Sequence, residues 1–585
     1  MNSEWSLKEL YDGYDDPKYI ADLKKADELC RKFADFASKL DGKPAEVVKE
    51  GLLLMEETET VFTDLVLFAN LRQATNTTDA ESSSMLGRLM AKLSSTAAPR
   101  TVFYQYIAGI NDLESVIKSD SLLSDYAYML RNIKKDSRYL LDKKTEEAMS
   151  LFSISGSGAW SDLQQYLTST VPVEFRGEKT SLSDIRNKAY DTDPCVRREA
   201  YEAELACYER IKDSVAFSLN SIKLEVLNNC RLRGYESPLQ QTLYNARMKK
   251  ETLDALLCAM EEYMPKFREY VRAKAEFLGH KDGMPWYDLF APVGDYNKKY
   301  TAEEAGKYLV RLFSGFDSEL AQMVKRAFDE AWIDFYPRSG KAGGAFCCSI
   351  HTIKQSRVLA NFDGNFNYLV TLAHELGHAF HNYCLNDNRI LNTNYSMPVA
   401  ETASTFNEMI VMNAAIKSEK DPAAKRALIE GQLMDANQII CDIYSRYLFE
   451  TAVFAGRDEE FMFPEKLCDM MLEAQKKAYG DGLDPNFLHP YMWLCKSHYY
   501  SGGQSFYNFP YAFGGLFARG LYAKYEAEGQ PFVALYKKLL NATATMDVED
   551  AALTAGIDLT DVGFWRMSLQ SIAEEIDEFK ELCKK

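Results

Sequence analysis

Histidine is scarce in this chain, with 7 in 585 residues. Any two histidines at ligand spacing therefore carry information. None of the 12 cysteines forms a CxxC pair. They are scattered, many inside helix-like segments, which argues against a disulfide frame and predicts reduced, buried thiols of a cytosolic protein. Positive charge is also in deficit, at a net −18, which argues against nucleic acid or an anionic membrane as the partner. No apolar run approaches the length of a membrane helix. The opening MNSEWSLKELYDGYDD lacks a basic segment followed by an apolar one, so no signal peptide is expected. Fixed-period repeats and low-complexity tracts are missing, which excludes a solenoid. What remains is ordinary globular composition in a chain too long for one core, so two or more lobes are expected.

Two of the few histidines fall in NYLVTLAHELGHAFHNYC, residues 367–384. Leu369, Leu372, Leu376 and Phe380 recur at helical spacing. On a helix His374 and His378 lie one turn apart, about 6 Å between Cβ atoms. Glu375 lies beside them, placed to hold a water without being a ligand. This HExxH arrangement suits a zinc hydrolase: two nitrogen donors, a general base and an open position. The other reading is a buried helix that happens to carry two histidines.

Before this helix the chain reads as mostly helical. Residues 16–40, 44–70, 82–110 and 122–152 show helical periodicity, with breakers at 41–44 and 75–79. Ser153–Ser157 interrupts the pattern. VPVEFRGEKT, residues 171–180, alternates apolar and polar and turns at Arg176-Gly177, which predicts a hairpin. Helices resume at Pro194. The clearest, Glu251–Leu278, ends before a C-cap at Gly279. A further helical set covers 302–331, and Ile333–Gly344 reads as a loop. Ala345–Ile350 and Val358–Phe362 read as two short strands, either a plain hairpin or an edge for an extended peptide.

A third ligand must come from beyond the HExxH helix. The pattern HExxHxxGxxH fails, because His381 stands where glycine would fall and Cys384 where histidine would. His381 lies two turns from His374, about 10 Å along the axis. It reads as an outer neighbour of the site or as packing. Pro398 fits the start of a new helix. Glu401 follows His378 by 23 residues, and Glu408 lies seven further on, on the same face. Glu401 suits the third ligand, with Glu408 orienting a histidine; a solvated acidic face is the alternative. Near the C-terminus, His498, Tyr507 and Tyr511 sit in a segment dense in tyrosine and glycine. They read either as donors for an oxyanion or as aromatic packing.

Together these segments resemble the oligoendopeptidase F family, within the thimet-oligopeptidase-like zinc metallopeptidases. The resemblance rests on LAHELGHAFHNY at 372–383, VAETASTFNE at 399–408 and HYYSGGQSFYNFPYAFG at 498–514. WSLKELY at 5–11, RLRGYESP at 231–238, WYDLFAPV at 286–293 and WIDFY at 332–336 extend it along the whole chain, in order. It implies a mainly α, two-lobed protein with a deep central channel. It also implies one Zn²⁺ held by His374, His378 and Glu401, Glu375 as base, and His498, Tyr507 and Tyr511 acting on substrate and transition state.

The expected organisation is an N-terminal helical lobe over 1–190 and a catalytic domain over 191–585. The expected function is a cytoplasmic zinc endopeptidase for short unstructured peptides, with neither nucleic acid nor membrane as partner. A carboxypeptidase or dipeptidase on the same scaffold is the rival enzyme. A peptide-binding scaffold without catalysis is the rival outside enzymes. Histidine and carboxylate ligands would also accept cobalt or manganese.

Overall fold

A computed structural model describes residues 3–584. The chain is mainly helical, with five short strands among the described residues. It divides into two compact units. The first comprises Met1–Arg138, Asn297–Ala414 and Lys524–Gly556; the second comprises Tyr139–Tyr296, Ala415–Ala523 and Ile557–Lys585. A single cut near residue 190 does not describe this partition. The physical reason is that distant segments share cores, and a linear reading of periodicity cannot see this.

In the first unit, helices Pro17–Ala37 and Pro44–Thr75 form as expected. The stretch 82–110 breaks at Ser95 and Thr96, whose hydroxyls bond back to the carbonyls of Lys92 and Leu93. The stretch 122–152 also breaks, and Asp142 caps a fresh helix, Lys143–Ser153, at the start of the second unit. Local side-chain bonds of this kind compete with helix continuation.

The first unit holds a three-stranded sheet. Strands β3 (Ile333–Asp334), β4 (Phe346–Ile350) and β5 (Gln355–Leu359) lie in the order β3-β5-β4. β5 pairs antiparallel with β4 and parallel with β3. The pair β4–β5 is the one expected; β3 was read as loop. It is two residues long and pairs in parallel, so local pattern does not reveal it. The N-terminal WSLKELY segment straps this sheet. Arg357 on β5 is fully buried and donates to Ser6 O at 2.6 Å and Glu9 Oε2 at 3.0 Å, and Trp5 packs on Phe346.

The HExxH helix spans Phe366–Cys384, and Leu369, Leu372, Leu376 and Phe380 are all fully buried. Burying each contributes about 1.5–3 kcal/mol. A short 3₁₀ turn, Met397–Val399, precedes the next helix, Thr402–Ser418. The α-helix thus begins four residues after Pro398, and Glu401 stands just ahead of its first turn, accepting from Thr405 N at 3.0 Å. These two helices meet backbone to backbone. A Cβ added at Gly377 would lie 2.4 Å from Ala403 O and 2.5 Å from Ser404 Cα. Asn407 ties them again, donating to Ala373 O at 3.2 Å.

In the second unit the expected hairpin pairs β1 (Val173–Phe175) with β2 (Glu178–Thr180). Arg176 and Gly177 both take positive φ, +51° and +85°, which fits a two-residue primed turn. Helix Lys250–Phe277 ends at Gly279 with φ +93°, as its sequence predicts. RLRGYESP stops one helix and starts another: Gly234 takes φ +83°, and Ser237 caps a helix beginning at Pro238. Three buried ion pairs hold helices together: Lys223–Glu450 at 2.7 Å, Lys274–Glu430 at 2.5 Å and Arg197–Asp288 at 2.6 Å.

Gly377→Ala is expected to lower the thermal transition, because overpacking a helix contact costs about 1–3 kcal/mol. That exceeds the gain of about 0.5–1 kcal/mol from replacing glycine within a helix. Gly87 is exposed on helix Ala80–Ser94 with open space around it, so Gly87→Ala is expected to stabilise by about 0.4–1 kcal/mol. Calorimetry of the two variants checks the pair; equal shifts would remove the close-contact argument.

Candidate active site

His374, Glu375 and His378 come from the Phe366–Cys384 helix, and Glu401 and Glu408 from the segment that crosses it at Gly377. Glu401 Oε2 lies 3.3 Å from His374 Nε2 and 3.3 Å from His378 Nε2. All three donor atoms fall within 4.8 Å of one another. Four ligands at 2.0–2.1 Å around a tetrahedral ion stand about 3.3–3.4 Å apart. The two histidine–carboxylate separations match that value, so the residues present fit one small ion with a nitrogen-rich donor set.

The neighbours of this triad are equally specific. Glu408 bonds His374 Nδ1, which leaves Nε2 for a metal. Ser404 Oγ donates to Glu401 Oε2 at 2.8 Å, restraining that carboxylate. Glu375 is 5% exposed, and no described residue donates a hydrogen bond to its carboxylate. Burial pushes its pKa up. The charges of His374 and His378 pull against that shift, and those of Glu401 and Glu408 add to it. For Glu401, burial acts upward but is outweighed. Bonds from His374 and His378, the His378 charge and Ser404 hold it well below the usual carboxylate range. His374 is pulled down by burial, yet Glu401 and Glu408 raise it to about 10.

His381 does not bond any of these residues. It is fully buried, and its ring stacks on Tyr395 at 4.1 Å. Nε2 lies 3.2 Å from Leu540 O and 2.8 Å from Thr543 Oγ1. Burial, with the nearby His378, pushes it down to about 3, so it stays neutral as a packing anchor.

His498, Tyr507 and Tyr511 come together in the second unit. His498 stacks on Tyr507 at 5.3 Å between ring centres and meets Tyr511 at 6.0 Å; the two tyrosines cross at 5.6 Å. Burial lowers the His498 pKa, with Arg446 and Lys496 adding to the effect, so it is a neutral donor-acceptor at pH 7. Tyr507 lies in a turn before helix Phe509–Glu528, and Tyr511 lies in its first turn. Phe506 takes φ +52° to make this turn. Asn508 Nδ2 donates to Glu450 Oε2 at 2.9 Å, which ties the turn to the buried Lys223–Glu450 pair.

Gly377, Ser404 and Asn407 escaped the sequence reading. Only Gly377 left a signal: a glycine inside a helix costs about 1 kcal/mol relative to alanine, so it needs a reason.

The sequence profile described as Peptidase family M3 matches residues 188–571, which includes all of these residues. The chain belongs to peptidase family M3. A second profile, Oligopeptidase F, matches residues 109–171. This M3 metallopeptidase is 24% identical to Oligopeptidase PepF of Bacillus subtilis, over 99% of this chain and 87% of that protein. It is also 24% identical to Group B oligopeptidase PepB of Streptococcus agalactiae, over 97% and 94%. Its fold matches a solved structure from Chlamydophila abortus with a TM-score of 0.86 at 20% identity, covering 99% and 98% of the two chains. Oligoendopeptidase-F from Enterococcus faecium matches at 0.69 and 19% identity, covering 96% and 98%. The M3 assignment makes the chain a metallo-endopeptidase acting on peptides, as the HExxH reading expects. No helix among the described residues is long and apolar enough to cross a membrane.

A metal entering between His374, His378 and Glu401 needs neutral imidazoles. His374, raised to about 10 in the metal-free chain, is protonated at pH 7 and must lose that proton. About one proton is therefore expected to leave per metal bound at pH 7, with affinity weakening as pH falls. Titration calorimetry in two buffers of different ionisation enthalpy checks this; a buffer-independent heat would contradict it.

Proposed function

We propose that this chain is a zinc-dependent endopeptidase for short, unstructured peptides, with Glu375 as general base. The single observation that carries the reading is the donor triangle of His374, His378 and Glu401 at ion-compatible spacing, with the buried Glu375 carboxylate beside it and free of protein donors. Zinc bound there would supply Lewis acidity, polarising the scissile carbonyl and easing deprotonation of a water. Glu375 accepts the proton of the attacking water and returns it to the leaving amine. Its pKa, raised by burial, sits closer to neutrality than that of an ordinary carboxylate, which suits both transfers. Glu408 keeps His374 in the tautomer that offers Nε2. His498, Tyr507 and Tyr511 supply hydrogen-bond donors for the peptide and the developing oxyanion.

An edge for the peptide is also at hand. Val358 and Ala360 direct their N–H groups to β3. The intervening Arg357 and Leu359 therefore bond β4 through Cys348 and Phe346. Cys347 and Ser349 are left with their backbone groups on the outer edge of β4. A peptide added there binds through main-chain bonds whatever its side chains. Cys347 lies close enough to Glu375 to feel its charge, so that edge runs beside the proposed base. A non-catalytic scaffold would have no use for Glu375 at that point. Twelve unpaired cysteines support a cytoplasmic setting for this activity. Mass mapping of products from a random peptide mixture separates internal cleavage from removal of end residues.

Glu375→Gln is expected to retain zinc while turnover of an internally quenched peptide falls by several orders of magnitude; activity within tenfold of the parent would remove Glu375 as base. Glu401→Ala is expected to lose zinc, and Glu408→Ala to lose less, measured by metal analysis. The reverse ranking would exchange their roles.

Tyr507→Phe and Tyr511→Phe keep the ring and remove only the hydroxyl. For at least one of them kcat is expected to fall by about 10²–10³ with little change in KM. Parental kinetics in both would return the pair to aromatic packing.

A further inference from the structure

A cavity of about 330 Å³ opens within the second unit. None of the residues proposed for peptide hydrolysis lines it. Its lining is of two kinds: charged side chains that include Arg186, Glu204, Asp442 and Lys496, and aromatic rings that include Tyr190, Tyr287 and Phe290.

The charges do not balance. Arg186 Nε lies 3.3 Å from Glu204 Oε1. Arg197, also in the lining, is matched by Asp288 at 2.6 Å. Asp442 is engaged by Arg446. Each carboxylate at the cavity thus already has a cation. Lys496 is left over: among the described residues its ammonium has neither an ion-pair nor a hydrogen-bond partner. Burial pulls the Lys496 pKa down while Asp442 pushes it up. Asp442, already engaged by Arg446, is the carboxylate whose charge Lys496 feels, and an ammonium held in a cavity without an ion pair of its own is costly unless an anion joins it.

A second observation lies on the same wall. Gln438 and Asp442 open and close a π-helical stretch, Gln438–Asp442, one of two among the described residues, set between helices Pro422–Asn437 and Ile443–Glu459. Both side chains line the cavity. Single-turn π stretches between α-helices are found frequently at functional sites.

We propose that this cavity binds a small organic anion. Its carboxylate or phosphate group rests between Lys496 and Arg186, and its apolar body lies against Tyr190, Tyr287 and Phe290. The volume falls in the range of small-molecule sites, and the pairing of fixed cations with aromatic faces matches an anion that carries a ring or short hydrocarbon.

The probes are 4-bromophenylacetate and 4-bromophenyl phosphate, titrated into the full-length, metal-loaded protein. Saturable binding of at least one is expected, and the preferred arm identifies the head group. Lys496→Gln is expected to weaken it about ten- to hundredfold, as loss of a charge-assisted bond would. Bromine anomalous scattering from soaked crystals of the parent protein locates the ligand independently of whether that variant folds. A bromine peak among Tyr190, Tyr287 and Phe290 supports the site. No binding by either probe, binding unchanged in Lys496→Gln, or bromine found only elsewhere would overturn it.

Discussion

The close crossing of two helices at Gly377 is the constraint on which the candidate metal centre depends. The HExxH helix supplies two nitrogen donors but no third ligand. The third candidate donor arrives only because Ala403 and Ser404 press directly against Gly377, where any side chain would intervene. The approach brings Glu401, at the start of the second helix, to 3.3 Å from both imidazoles. Asn407 bonds the facing backbone one turn later, and Ser404 holds the Glu401 carboxylate. Donor spacing is thus a consequence of backbone packing rather than of flexible side chains meeting by chance.

Electrostatics then divides labour among three glutamates. Glu401 bonds both histidines and is held strongly anionic. Glu408 faces the outer nitrogen of His374 and sets its tautomer. Glu375 is buried without a donor, and its pKa rises. Identical side chains from two crossing helices therefore acquire three different electrostatic settings, which match the proposed roles of ligand, orienting group and base. The same logic governs the second unit, where Lys223, Glu450 and Asn508 form a buried chain that fixes the turn carrying Tyr507.

Much of this was legible in order along the chain. The HExxH helix, its apolar stripe, the 171–180 hairpin and the C-cap at Gly279 follow from residue types and spacing alone, because each is a local matter of period or of backbone freedom. Helix breaks at Ser95-Thr96 and before Asp142 were harder to read, since short side-chain bonds to the backbone decide them against a continuous apolar pattern. β3 was invisible, because two residues of parallel strand exist only once β5 is beside them.

The sequence by itself determined the chemistry: which residues can ligate, which can take a proton and roughly how far along the chain each lies. Tertiary structure alone decided which of them meet. It drew His381 away to Thr543 and Leu540, although its spacing left it near the ligand face. It interleaved three segments into each compact unit, and it set Lys496 at a cavity where the carboxylate it feels, Asp442, is already paired with Arg446. The physical reason is that helical period specifies direction around one axis, whereas ligand distance and charge balance depend on how separate axes pack.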